Sequence, residues 1–285
     1  MQREQTRLGK AEAAAIALLG GGITAAAIAG VTLTAAPAPK EVRELTAVID
    51  RLSRSNDLGK RPISFMVASG SYASYLAEER GFCKKDRCVF FAQLNPYKSY
   101  ANGWNELIRQ SYALGDIQAW SFSTGTIVIP QATFRAYGPH SGYLACTVAH
   151  EIAHFQRDHV FQASYHEHHN LETSSDDDKT KELNRWSRKQ ELEADRDAAD
   201  MLARAGYDGR VCKNDIAFMH RSVGIATKTD DDSTHPGYED RLEAMEKHYE
   251  AIEASPPAPQ PGPPAQLNYD ATTNLLRVIP QPRQS

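Results

Sequence analysis

This chain has no surplus of positive charge. Its 32 lysines and arginines are outnumbered by 36 aspartates and glutamates, for a net charge of −4. It therefore has no electrostatic footprint for a phosphate backbone, and nucleic acid is set aside as a partner. Internal repeats are missing, which argues against solenoid and propeller architectures. Long uncharged runs are scarce as well. Only the stretch from Ala13 to Ala36 is long enough to cross a bilayer, which argues against an enzyme that cuts within the membrane using several spanning helices. Cysteine is sparse but even in number: Cys83, Cys88, Cys146 and Cys212. Four cysteines suit an oxidising compartment and allow three pairings.

What is present centres on His150-Glu151-Ile152-Ala153-His154. On a helix, residues four apart sit about 40° from one another, so the two histidines share a face and can grip one metal ion. Glu151, beside the first of them, reaches a water on the metal instead of the metal itself. Two histidines leave a tetrahedral catalytic site one protein ligand short. A helix-forming stretch from Arg188 to Gly206 offers Glu191 and Asp195, again four apart, with Ala194 and Ala198 beside them. Glu191 can complete a His₂Glu set. Asp195 can accept the spare ring N–H of a ligand histidine and fix its orientation. Glu193 faces about 160° away from Asp195 and is the weaker ligand candidate. Further on, Ser233-Thr-His235-Pro-Gly-Tyr-Glu-Asp-Arg241 reads as a turn leading into a helix.

These three motifs in this order resemble the HtpX-like zinc metallopeptidases, a family that also contains the CAAX prenyl proteases and the Oma-type membrane proteases. The resemblance runs from about Glu41 to Glu253. Gln118–Pro130 is similar to the family's segment ahead of the active helix. Asp158-His159 resembles its basic-histidine ending, with Asp158 where arginine is more usual. The resemblance implies His150, His154 and Glu191 as zinc ligands and Glu151 as general base. It also implies Asp195 as the acid behind a ligand histidine, His235 as a histidine near the metal, and Arg241 as a brace. The implied fold is α+β and zincin-like (gluzincin), mainly helical with a small sheet beside the HExxH helix. The implied activity is zinc-dependent hydrolysis of peptide bonds in proteins, with envelope quality control as the family analogy. Prenylated substrates do not suit a chain with one candidate span. A different class stays open: a non-catalytic, zinc-binding, membrane-tethered interaction protein, in which Glu151 would have no task.

The organisation expected along the chain has four parts. Residues 1–36 form an N-terminal anchor or signal segment, 37–254 the metallopeptidase domain, 255–266 a proline-rich linker and 267–285 a tail with a β-hairpin. Arg3, Arg7 and Lys10 precede the uncharged run, so the positive-inside rule puts Met1 in the cytoplasm and the domain across the membrane. Pro37 follows the small residues Thr34-Ala35-Ala36 and hinders cleavage there. An uncleaved anchor is therefore favoured over release into a bacterial periplasm. Apolar residues at 42, 45, 48, 49 and 52 predict a helix, as does the segment 102–114. Ile63–Ala68 and Cys88–Ala92 predict strands. Thr126–Ile129 predicts a strand that is either plain core or an edge on which an extended substrate pairs. Seven of the ten histidines lie between His140 and His169. The histidine-rich stretch 162–181 predicts a mobile polar loop over the cleft, with a second metal site as its minor alternative. Cys146 stands one turn before His150, where it can be a fourth ligand, a small buried hydrophobe or a partner for Cys212. The preferred pairs are Cys83–Cys88 and Cys146–Cys212.

Overall fold

The computed structural model describes residues 37–281 apart from 86 and 208. The chain divides into Met1–Pro37 and Ala38–Ser285, and all the helices and strands named here belong to the second unit. The expected anchor at residues 1–36 lies outside the described residues. Among the described residues no helix is long and apolar enough to cross a membrane.

Helix α1 (Lys40–Ser53) buries the five apolar positions that its spacing marks out, Val42, Leu45, Val48, Ile49 and Leu52. Strand β1 (Ile63–Ala68) follows, then α2 (Ser71–Glu79), a 3₁₀ turn (Val89–Gln93) and α3 (Trp104–Leu114). Strands β2 (Trp120–Ser121) and β3 (Thr126–Pro130) lead into α4 (Gln131–Tyr137). The C-terminal strands β4 (Ala265–Asp270) and β5 (Leu275–Pro280) complete a five-stranded sheet in the order β2-β3-β1-β5-β4. Only β1 and β3 pair in parallel, with Phe65 opposite Ile127. The other neighbours are antiparallel. The architecture is mainly helical with a small mixed sheet, an α+β arrangement.

Beside the sheet lie α5 (Ser141–Gln156), α6 (His159–Asn170), α7 (Asp176–Arg204), α8 (Val211–Val223) and α9 (Tyr238–Ala254). α5 carries the two histidines and lies along α7. The alanines 194 and 198 of α7 are fully buried, as are Ala145, Ala149 and Ala153 of α5. Side chains this small let two helix backbones approach closely. Disulfides join Cys83 to Cys88 and Cys146 to Cys212. The second ties α5 to α8, so Cys146 is not available as a metal ligand.

Two expectations need correction. Cys88–Ala92 is not a strand. Its backbone folds into the 3₁₀ turn next to the disulfide, and the carbonyls of Ala92 and Leu94 accept from Gly70 and Ser69. The histidine-rich stretch is not a loop, because nothing between His159 and Asn170 breaks a helix. It forms α6 and rests on α7, with the His166 ring stacked on Trp186 at 4.4 Å. The polar run Ser174–Asp178 is the start of α7: Ser175 caps it by accepting from the Asp178 N–H, and three aspartates fill the first turn. No second cluster of metal-type ligands occurs among the described residues. Of the two readings of Thr126–Ile129 the core strand holds: β3 has neighbours on both sides, and the sheet edge next to α5 is β2.

Candidate metal centre

His150 and His154 stand one turn apart on α5, and Glu191 faces them from α7. The two Nε2 atoms are 3.0 Å apart. Glu191 places Oε2 at 3.3 Å from Nε2 of His150 and Oε1 at 3.3 Å from Nε2 of His154. Ligands held about 2.0–2.1 Å from a tetrahedral zinc are separated from one another by about 3.3 Å. The two imidazole nitrogens and the Glu191 carboxylate, which offers one oxygen to each ring, therefore stand close to the spacing of such a site, with one ligand atom from each residue within 4.8 Å of the others.

The rear of each imidazole is occupied. His150 Nδ1 lies 3.0 Å from Asp195 Oδ1, so Nδ1–H donates to that carboxylate and Nε2 is turned to Glu191. Arg241 clamps the same carboxylate with two hydrogen bonds, Nε to Oδ2 at 2.8 Å and Nη2 to Oδ1 at 2.6 Å. His154 Nδ1 lies 2.9 Å from Nδ1 of His159, whose Nε2 is 3.5 Å from Glu193 Oε2. His159 is 2% exposed, and its carbonyl accepts from the Gln190 side chain. It reaches this position because Asp158 turns the chain through a left-handed conformation, φ 56°, between α5 and α6. Arg61 pins that turn by bonding Asp158 and the Phe155 carbonyl.

The electrostatics match this arrangement. Burial opposes charge on His150, but the carboxylates of Asp195 and Glu191 outweigh it and hold the ring up at about 10. Burial likewise works against ionised Glu191, and hydrogen bonds from the two histidines hold it well below the usual carboxylate range. Asp195 is held down at about 2, because Arg241 and His150 overcome its burial. Glu151 goes the other way. Burial pushes its carboxyl up, and the nearby histidines only partly offset this.

The positions singled out in the sequence are thus distributed as follows. His150, His154 and Glu191 converge, with Asp195 behind the first histidine and Arg241 behind Asp195. Arg241 does not touch the three donors. His235 stands to the side, its Nε2 3.7 Å from Glu191 Oε2 and its side chain 63% exposed. Its loop is fastened by Arg188, which donates to the carbonyls of Asp230, Asp231 and Ser233. Gly237 seats the loop, since a Cβ there would fall 2.3 Å from the Lys228 carbonyl carbon. A cavity of about 480 Å³ opens beside the trio, with Trp120 and Ala119 on one wall and Ile216 and Met219 on another. Sequence reasoning noted His159 only as part of a motif ending and missed the support it shares with Glu193. It missed Asp215 altogether.

Residues 179–249 match the family model of Peptidase family M48. The M48 segment runs from the first turns of α7 into α9 and contains Glu191, Asp195, His235 and Arg241. It stops short of the helix that carries His150 and His154. The match takes in the second and third of the three motifs and supports the resemblance over the part of the chain that supplies the third donor. A metallopeptidase, a hydrolase of peptide bonds that depends on a metal, is the activity this match supports. No curated protein and no solved structure matches the chain.

Proposed function

We propose that the chain is a zinc metalloendopeptidase with a zincin-like fold. The convergence of His150, His154 and Glu191 beside buried Glu151, at the wall of an open cavity, carries this reading. The donor set of two imidazoles and one carboxylate suits zinc, and a fourth position is left toward the cavity. A zinc ion held there supplies Lewis acidity, which polarises a carbonyl and eases deprotonation of water. The rest belongs to the chain. Asp195 and His159 keep the two imidazoles turned toward Glu191. Glu151 takes the proton from the attacking water and hands it to the departing amine, a task helped by the burial that raises its carboxyl. His235, next to Glu191, steadies the negative charge that develops on the carbonyl oxygen. An extended substrate pairs along β2, the sheet edge beside α5, whose Trp120 lines the cavity.

The substrates are proteins or peptides, and surplus or damaged envelope proteins are the class we favour. The uncharged run in residues 13–36 serves as a membrane anchor in this reading. Two disulfides suit a domain outside the cytoplasm. The test compares zinc-loaded wild type with Glu151→Gln on unfolded casein. Wild type should cleave it while the variant, binding zinc equally, is slower by at least a hundredfold. If both proteins hold zinc and are equally inert, the endopeptidase reading fails and a binding role replaces it.

A further inference from the structure

The 3₁₀ turn at Val89–Gln93 leaves apolar side chains in solvent that a strand there would have packed. Of the consecutive residues Val89, Phe90 and Phe91, only Phe91 is buried, in a cluster with Ala73, Ala77 and Leu107. Val89 is 65% exposed and Phe90 48%. Phe82, just ahead of the Cys83–Cys88 bridge, is 40% exposed. These side chains form one patch around Trp104. The Phe90 ring lies 5.7 Å from Trp104, and Phe82 comes within 3.3 Å of where a Cβ on Gly103 would stand. A lone exposed apolar residue needs no explanation, but a contiguous aromatic patch marks an interaction surface.

The rim of the patch identifies its occupant. Lys84, Lys85 and Arg87 stand exposed in the ring that the disulfide closes, and Asp86 is the one acid in that sequence. Glu78 and Glu79 end α2 ahead of it, followed by Arg80. In a chain of net charge −4 this loop runs against the overall sign. Aromatic rings set among lysine and arginine match the boundary of a bilayer with anionic headgroups. The rings enter the edge of the acyl region while the long cationic side chains stay with the phosphates. Position favours the same occupant. The second unit begins at Ala38, and Glu41 accepts from the Tyr97 hydroxyl at 3.1 Å. Close by in the same loop, Tyr100 has its ring 5.9 Å from Trp104. Whatever precedes Ala38 thus joins the unit on the side of the patch, and an anchor there would hold even a weak patch against lipid at high effective concentration.

We propose that the disulfide-closed loop 83–88, with Phe82, Val89 and Phe90 beside it, docks on an anionic lipid surface. This goes beyond the peptidase reading and does not depend on it. Docking also brings the cleft near the lipid. Ser69 and Gly70 donate to the carbonyls of Leu94 and Ala92 just past the patch, and Ser71 lines the cavity. Protein segments lying close to the bilayer are then the ones presented to it.

Tryptophan fluorescence makes the test specific, because residues 1–36 contain no tryptophan and Trp104 is the one packed on Phe90. The full-length chain is mixed with vesicles of phosphatidylcholine and phosphatidylglycerol, about three to one, with bromine on the phosphatidylcholine acyl chains. Emission should fall by about a fifth or more relative to vesicles without bromine, and Trp104→Phe should remove the fall. Val89→Ser with Phe90→Ser should remove it too. Lys84→Gln, Lys85→Gln and Arg87→Gln together should reduce it to the level seen in phosphatidylcholine alone. Unquenched wild type overturns the proposal even if every variant fails to fold. So does quenching that survives in the folded serine variant, or that is equal with and without phosphatidylglycerol. Flotation with the vesicles but no quenching leaves an anchor and removes the docking patch. If unfolded ribonuclease A, which lacks tryptophan, instead alters the emission of wild type and not of the serine variant, the patch belongs to a protein and the lipid proposal falls. Quenching without any cleavage of casein upholds the docking surface and counts against the peptidase reading alone.

Discussion

At the scale of single residues, the candidate metal centre rests on acids and imidazoles outside the His150, His154 and Glu191 trio. Asp195 shares its two oxygens between His150 and Arg241, and this coupling sets its behaviour in acid. Its carboxyl is lowered from the usual 3.8 to about 2, so the folded state releases the proton more readily than the unfolded chain. The stabilisation is present above about pH 4 and disappears as pH falls through about 2. It is worth about 2 kcal/mol at neutral pH for a fully buried group. Urea unfolding of the metal-free protein should show Asp195→Asn less stable than wild type near neutral pH, with the gap closing between pH 4 and 2. Parallel curves across that window would remove the ion pair as its source. His159 invites a second prediction. Replacing it with alanine should weaken zinc binding about 10- to 100-fold by chelator competition, since the rear hydrogen bond of a ligand histidine fixes its tautomer and orientation. An unchanged affinity would show that the close approach of the two rings does nothing for the metal. These positions also mark how far a sequence can be read. His150 with His154, and Glu191 with Asp195, are pairs four apart, and helical periodicity alone turns them the same way. His159 depends on a left-handed turn at Asp158, and Asp215 on where α8 docks. Neither leaves a local pattern.

At the scale of elements, α7 does more than deliver Glu191. It spans 29 residues, supports α6 at its start, and meets α5 through small side chains in its middle. Ala198 is wholly buried at that contact. Ala198→Leu should cost about 1–3 kcal/mol in denaturant unfolding, the usual penalty for forcing methylenes into a close-packed interface. It should also lower zinc affinity by moving Glu191 off the histidines. A variant as stable as wild type, with unaltered affinity, would show the two helices to be less closely seated than their alanines imply. The alanines and the helical pattern around Glu191 made this contact legible beforehand. The start of α7 was not, because a serine followed by three aspartates reads equally as a solvated loop or as a capped, acid-rich first turn. The sheet edge was hidden for a different reason. β2 has only two residues, too few for an alternating pattern, so the longer apolar run of β3 drew attention in its place.

At the scale of the whole molecule, the second unit is held together across long stretches of chain. The Cys146–Cys212 bond closes a loop between positions 66 apart. A loop of that length restricts the unfolded chain by about 4 kcal/mol in the chain-entropy account. Cys146→Ser with Cys212→Ser should lose stability of that order in urea, and more than Cys83→Ser with Cys88→Ser, whose ring is far shorter. Equal losses from the two double variants would refute the entropic explanation. The preference for these pairs could be formed from spacing and context. The partner of β1 could not, because strand order in a sheet is a property of the folded whole. A proline-rich stretch separates the helices from the last two strands, yet β5 returns to lie against β1, and the Asn274 side chain donates to the Val67 carbonyl.

That return has a consequence in time. The sheet joins a strand beginning at Ile63 to one ending at Pro280, so it cannot close until residues 265–280 have left the ribosome. A nascent polypeptide halted at residue 264 should leave β1 without one flank and remain open to added chymotrypsin at Phe65, whereas a polypeptide that includes residues 265–281 protects it. The sheet is thus completed only after every helix of the second unit has been made.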